Sequence, residues 1–191
     1  GLTGNIATGK TTVCNILRKL GAQIIDADSL VHGLLVKGHP VYDSVVAAFG
    51  PGILTANGEI DRARLGRIVF ADPEALRRLE AIVHPAVRDL IEQEIAASTA
   101  QVIVVDAVKL IESGLSQRCD TVWVVTASEE QQFTRLTRRR GMSAADTRKR
   151  IGAQSPQADK VRQANVVIDN SGSLAKTEAQ VRRAWAQIPG A

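Results

Sequence analysis

Aromatic side chains are scarce in this chain: three Phe, two Trp and one Tyr among 191 residues. The core must therefore be built from Ala, Val, Ile and Leu. A stacking platform for single-stranded nucleic acid needs interleaved aromatics, so no nucleic-acid partner is expected. Cysteine is nearly absent too. Cys14 and Cys119 have the spacing of neither a metal site nor a redox motif, and the default compartment is a reducing cytoplasm. Cys14 falls in a helical pattern and reads as a small core residue. His32, His39 and His84 stand at no metal-ligand spacing. No apolar run approaches membrane-spanning length and no signal peptide is visible, so a cytoplasmic protein without a membrane partner is expected. Repeats and low-complexity tracts are absent as well. The length suits one α/β domain, or one domain with an insertion. Lys and Arg number 24 against 20 Asp and Glu, a modest excess that suits a polyphosphate ligand.

What is present begins at Gly4-Asn5-Ile6-Ala7-Thr8-Gly9-Lys10-Thr11-Thr12. Two glycines five apart, followed at once by Lys and a hydroxyl residue, form the phosphate-cradling pattern. Glycines let the backbone curl so that several N–H groups point at phosphate oxygens. Lys10 can place a charge on the β- and γ-phosphates, and Thr11 can offer its hydroxyl to Mg²⁺. The helix that follows adds its positive dipole end. A helical apolar pattern (Val13, Ile16, Leu17, Leu20) and then a strand pattern (Ile24, Ile25) support this context. Only Gly1-Leu2-Thr3 precede the loop as its feeding strand, so a few upstream residues are expected before Gly1.

Lys10 to Leu20 is predicted helical, closed by Gly21 as a C′ glycine. Gln23 to Asp26 reads as a short buried strand, and Asp28 to Val36 as a helix. Pro40 opens a helix that runs to Phe49. Ile53 to Ile60 reads as loop with a turn at Asn57-Gly58. Asp61 can cap a helix through Phe70; further helices are predicted from Asp72-Pro73 to Val83 and from Pro85 to about Thr99. No strand interrupts this stretch, so residues 38–99 are predicted to be a helical insertion. The strands resume at Gln101 to Asp106, Thr121 to Thr126 and Asn165 to Asp169. Ser128–Gln131 and Ser143–Asp146 read as helix caps, and a final helix follows Ser173. Alternating strands and helices imply an α/β fold with a doubly wound parallel sheet of about five strands. Residues 1–37 and 100–191 make this nucleotide-binding core, with a lid at about 135–160. Ligands bind at the carboxyl ends of such strands, where the loop, Asp26, Asp28 and Asp106 gather.

An acid near a γ-phosphate can take the proton of an acceptor hydroxyl. Asp26 and Asp28 share one side if the strand extends that far; one of them, with Asp28-Ser29 the apparent candidate, can instead cap the next helix. Asp106 ends an apolar strand, the place of a Mg²⁺-orienting acid, or is a solvated strand-end residue. Arg135 and Arg139 lie one helical turn apart in an arginine run that is either a solvated face or a lid that spreads charge on a transferred group. His84, read alone, is a helix-junction residue.

The whole string resembles the dephospho-coenzyme A kinases, over nearly the entire chain. The matching pieces are GLTGNIATGKTT, LGAQIIDAD, FGPGIL, GEIDRARL, LEAIVHP, VIVVDAVKLIES, QFTRLTRR, Gln154 and ANVVIDN; Asp61-Arg62 and His84-Pro85 are the diagnostic pairs. The resemblance implies an enzyme, a kinase that uses ATP and Mg²⁺ to phosphorylate the ribose 3′-hydroxyl of dephospho-coenzyme A, with a nucleotide core, a helical acceptor domain and a lid. It implies Lys10, Asp28 and Arg139 as catalytic residues. ATP falls to Gly4, Asn5, Ile6, Ala7, Thr8, Gly9, Lys10, Thr11, Thr12, Arg135 and Asn170, the last beside the adenine. Thr3, His32, Arg62 and His84 fall to the acceptor, and Thr11 and Asp106 to the metal. Small-molecule substrates are the partners, and a monomer or weak homo-oligomer is expected. Asn5 and Ala7 replace loop glycines; Ala7 would be strained if its position needs φ > 0. Val108-Lys109-Leu110 replaces the usual Pro-Leu-Leu.

The competing readings are another small-molecule kinase of the same core, for a nucleoside monophosphate or polyol, a guanine-nucleotide switch and a basic nucleic-acid binder. A switch needs an Asn-Lys-x-Asp base reader and an Asp-x-x-Gly after the third strand, and neither is present.

Overall fold

Five short strands lie in the order β2-β3-β1-β4-β5 in one parallel sheet. They are β1 (Leu2–Thr3), β2 (Gln23–Asp26), β3 (Ile103–Asp106), β4 (Trp123–Thr126) and β5 (Val166–Asp169). The computed structural model describes residues 1–190, and for Arg139 the backbone alone. The strand closest to the N-terminus is thus the central one, as expected where the first loop binds the ligand. The register sets Leu2 opposite both Asp106 and Trp123. Asp106 therefore stands at the level where β1 runs out into the Gly4–Thr12 loop.

Helix α1 (Lys10–Lys19) buries Val13, Cys14, Ile16 and Leu17 and leaves Thr11, Asn15 and Arg18 exposed. That apolar stripe meets Trp123, Val125, Ile168 and Val181 in the main core. The helix ends as predicted at Gly21: its N–H bonds to Arg18 O (3.1 Å) and the Ala22 N–H reaches back to Leu17 O (3.0 Å), the paired bonds of a left-handed glycine cap. Helix α9 (Leu174–Trp185) packs on α1.

The chain forms two compact units, one of residues Gly1–Ile25 and Ser98–Ala191, the other of Asp26–Ala97. In the second unit, α2 (Ala27–Leu34), α3 (Pro40–Phe49) and α4 (Arg62–Ala71) all pack on the long helix α5 (Pro73–Ala97). Its core is aliphatic, with Leu34, Val45, Ile53, Leu65, Val69, Val83, Val87 and Ile91 buried, and one tyrosine, Tyr42, which donates its hydroxyl to Gly58 O. The Asn57-Gly58 turn forms as expected: Leu54 and Ile60 pair across it, and Gly58 takes φ 77°. Helix α5 departs from the sequence expectation. Two helices divided at His84-Pro85 were expected, yet one helix runs through Pro85. A proline costs the bond to the carbonyl four residues back and crowds that carbonyl. Here burial of Val83 and Val87 on either side of it offsets the loss.

In the first unit, α6 (Glu129–Thr134) passes directly into a π-helical segment, Arg135–Arg139. Helices α7 (Ala144–Gly152) and α8 (Gln157–Val161) follow. Ser128 and Ser143 cap α6 and α7 as their spacing predicted. Among the described residues, no helix is long and apolar enough to cross a membrane.

Candidate active site

The loop between β1 and α1 leaves its glycines no alternative. A Cβ on Gly4 would come within 2.4 Å of Val125 O and 2.8 Å of Thr8 Oγ1. A Cβ on Gly9, which also sits at φ 98°, would lie 2.0 Å from Asn170 Nδ2. Ala7 is at φ 59°, the one non-glycine in the left-handed region among the described residues. The strain foreseen for an alanine here is present, and in that region it amounts to roughly 1–2 kcal/mol.

Side chains from distant parts of the first unit hold this curl. Arg135 donates through Nη1 to Ala7 O and Thr8 O, both at 3.0 Å, and through Nη2 to Asn170 O at 2.6 Å. Asn170 is buried; its Nδ2 donates to Thr8 O (2.7 Å) and its Oδ1 accepts from the Thr177 hydroxyl (2.8 Å). The Thr8 carbonyl is thus pulled toward Arg135 and Asn170. A trans peptide points its C=O and N–H opposite ways, so the Gly9 N–H is turned away from them. Beyond it, Lys10 and Thr11 open α1, whose first N–H groups have no acceptor one turn back. The result is a set of donors beside a helix N-terminus, the requirement for an anion site. Inside the loop, Thr8 donates its N–H (3.2 Å) and hydroxyl (2.9 Å) to Asn5 O.

Lys10 donates its ammonium to Asp106 Oδ1. The pair is mostly covered, with side chains 13% and 14% exposed. Asp106 Oδ2 lies 3.4 Å from Cys14 Sγ. Burial, and then the Asp106 charge and hydrogen bond, push the Cys14 thiol up to about 12; it is a protonated core residue, not a nucleophile. Thr11 is exposed at the first turn of α1. Thr3 is fully buried and donates its hydroxyl to Val108 O at 3.0 Å.

The remaining candidates, Arg139 apart, belong to the second unit. Strand β2 ends at Asp26, so Asp28 lies in the first turn of α2 and not on the strand. The cap is Asp26, not the Asp28-Ser29 candidate: its Oδ1 accepts from Ser29 N (3.0 Å) and its Oδ2 from the Ser29 hydroxyl (2.8 Å). His32 sits in the last turn of α2. Arg62 is the first residue of α4 and is held there by its neighbour. Asp61 caps the helix through bonds from Ala63 N and Arg64 N, each 3.0 Å. Those N–H bonds, the Arg64 one foremost, hold the Asp61 carboxyl below its usual range. His84 lies inside α5. The lid arginine expected at Arg139 falls on a side chain outside the described residues.

Two residues, Gln154 and Lys160, went unassigned from sequence. Gln154 Oε1 accepts from Ile6 N at 2.6 Å, and Asn5 Nδ2 donates to Ser155 O at 2.9 Å. Lys160, buried in α8, donates to Val108 O (2.9 Å) and Glu112 (2.7 and 3.0 Å). Gln154 belongs to the family-like pattern, which gave it no role. Lys160 left no signal, because a lone lysine beside Arg162 reads as surface.

A braced phosphate loop on the central strand of a 2-3-1-4-5 parallel sheet, with its lysine on an acid at the end of β3, defines a P-loop kinase core. The comparisons with known proteins give the particular family. The family model described as "Dephospho-CoA kinase" matches residues 1–176. The dephospho-CoA kinase of Symbiobacterium thermophilum is 48% identical over 188 residues, covering 97% of this chain and 79% of its own. A crystal structure from Thermus thermophilus superposes with a TM-score of 0.88 at 34% identity, covering all of this chain and 97% of that one. The dephospho-CoA kinase of Campylobacter jejuni follows at a TM-score of 0.68 and 27% identity, covering 97% and 94%. The chain belongs to the dephospho-CoA kinase family.

Proposed function

We propose that this enzyme transfers the γ-phosphoryl group of ATP to the ribose 3′-hydroxyl of dephospho-CoA, giving CoA in the last step of its biosynthesis. The observation that carries the reading is the family match over residues 1–176, joined to a phosphate-loop pattern whose carbonyls are held by Arg135 and Asn170. In phosphoryl transfer the protein contributes positioning and electrostatic stabilisation more than covalent chemistry. Lys10 supplies charge to the β- and γ-phosphates. Gly4–Thr12 supplies the N–H cradle, which Arg135 and Asn170 hold open from behind. Asp28 receives the acceptor hydroxyl's proton, and Arg139 spreads the charge that develops on the transferred group. Residues 38–99 hold the acceptor, with Arg62 and His84 as its anchors and His32 and Thr3 in supporting parts. Arg62 suits an anionic pyrophosphate, since a guanidinium makes forked bonds to phosphate oxygens.

The donor set fits Mg²⁺. Asp106 and Thr11 offer a carboxylate and a hydroxyl, hard oxygen ligands of the kind this ion takes alongside substrate phosphates. When bound, the ion neutralises charge on the β- and γ-oxygens. A reducing cytoplasm agrees with two free thiols, Cys14 and Cys119, and a monomer or weak homo-oligomer is the working state.

The test is ADP release by the purified chain with dephospho-CoA, AMP, adenosine, gluconate and shikimate as acceptors. Turnover with dephospho-CoA far above the others is expected. A preference for AMP or for a polyol would move the enzyme to a different acceptor class.

A further inference from the structure

Ala7 is an alanine at φ 59°, and such a residue keeps its conformation only where its surroundings over-determine it. On its C-terminal side, Arg135 holds the Ala7 carbonyl at 3.0 Å. On its N-terminal side, Gln154 Oε1 takes the Ile6 N–H at 2.6 Å. The strained residue is therefore bracketed: the Ala7–Thr8 peptide is held directly by Arg135, and the Asn5–Ile6 peptide, one residue further back, by Gln154. Gln154 comes from an anchored segment, not from a free loop. Asn5 Nδ2 donates to the next carbonyl, Ser155 O, at 2.9 Å. The Gln157 Oε1 accepts from Ala127 N at 3.2 Å, beyond the end of β4. Lys160, 4% exposed, is fastened to Val108 O and Glu112 beyond the end of β3. Residues 154–160 thus tie together the loops that follow β1, β3 and β4. Asn5 accepts a cost for its part in this: its Oδ1 is buried without a partner, while its Nδ2 keeps the bond to Ser155.

We propose that Gln154 is a positioning residue of the phosphate loop, and that it keeps Ala7 in the left-handed conformation the cradle requires by holding the Ile6 N–H. Residues 154–160 act as a strut of the loop and do not travel with the lid. The proposal rests on the kinase reading for its effect on turnover, but the clamp itself is a property of the loop.

The experiment is a double-mutant cycle in the full chain, with Gln154→Ala and Ala7→Gly made singly and together. It reads kcat and KM for ATP at saturating dephospho-CoA. Gln154→Ala should lower kcat/KM for ATP about tenfold, the scale of a small misplacement of positioning groups. In the Ala7→Gly background the same change should cost about twofold or less, because the two sites are coupled and glycine takes φ > 0 without help. Equal losses in both backgrounds would overturn the proposal, since a merely structural Gln154 would not be rescued by a glycine at position 7. A second readout needs no activity: hydrogen exchange of the Ile6 amide, followed by NMR without substrates, should quicken in Gln154→Ala. Unchanged exchange overturns the clamp whatever the enzyme phosphorylates. Quickened exchange in a chain that never phosphorylates dephospho-CoA would uphold the clamp and sink the kinase reading instead.

Discussion

The two units carry their candidate residues in opposite ways. In the sheet unit most of the residues proposed for ATP form a contiguous stretch, Gly4–Thr12, and Arg135, Asn170 and Gln154 bond to its backbone. They reach its peptide groups from positions 128 to 162 residues away. In the helical unit the candidates are single side chains: Asp28 in the first turn of α2, Arg62 at the start of α4, His84 within α5. There the local structure fixes the helix, as Asp61 does for α4, and the candidate side chain stands beside the cap. A backbone site needs a brace, and a side-chain site needs a well-placed helix end. The two therefore fail differently when mutated.

The largest effect is expected in the sheet unit. Lys10→Ala should lower kcat by ~10²-fold or more, the scale of one preorganised electrostatic group, while circular dichroism stays that of the parent. Near-normal turnover would remove the phosphate-loop assignment. Asp28→Asn should also lower kcat by ~10²-fold, the low end for a general base, with ATP affinity by calorimetry unchanged. Lost ATP affinity at constant kcat would make Asp28 a binding residue and blur the division between the units.

Smaller effects sharpen the contrast. Arg62→Ala should raise KM for dephospho-CoA about tenfold, in line with the loss of a charge-assisted bond, and leave KM for ATP nearly unchanged. An ATP-side defect would place Arg62 with the nucleotide. Asn170→Ala should do the reverse, raising KM for ATP several-fold through a loosened Thr8 peptide, although Asn170 itself is 6% exposed.

The smallest effect is on stability. Asp61→Ala removes the α4 cap and should lower Tm slightly at neutral pH. The Asp61 carboxyl is held below its ordinary value of 3.8, so its contribution is present above that value and lost as pH falls through the lower folded one. The difference between parent and mutant should therefore shrink in acid. A deficit that stays constant from neutral pH to below pH 3.8 would show that the charged cap is not its source.

Legibility followed the same division. The loop, its helix, the five strands and the Gly21, Ser128 and Ser143 caps were readable because each depends on neighbours in sequence. Asp61 was readable as the α4 cap for that reason as well. The reach of Arg135 and Asn170 to the back of the loop was not, since both had been assigned to ATP from pattern and resemblance. Their bonds to Ala7 and Thr8 depend on how the π-helical segment after α6 and the β5–α9 connection meet the loop after β1. The acid pair misled in part: alternation along a strand suggested Asp26 and Asp28 together, but β2 stops at Asp26, which turns its carboxylate onto Ser29. Pro85 misled for another reason. A local breaker was overridden by aliphatic burial along α5, a tertiary term that no short window contains.

The central claim is transfer to one hydroxyl of one acceptor, and the product tests it most directly. The full chain is incubated with ATP, Mg²⁺ and dephospho-CoA, and the product is identified by ³¹P NMR and mass spectrometry. The account predicts one new phosphomonoester, on the ribose 3′-oxygen, formed in step with ADP and abolished by Lys10→Ala. ADP formed without that phosphomonoester, or a phosphate placed on any other oxygen, would contradict it.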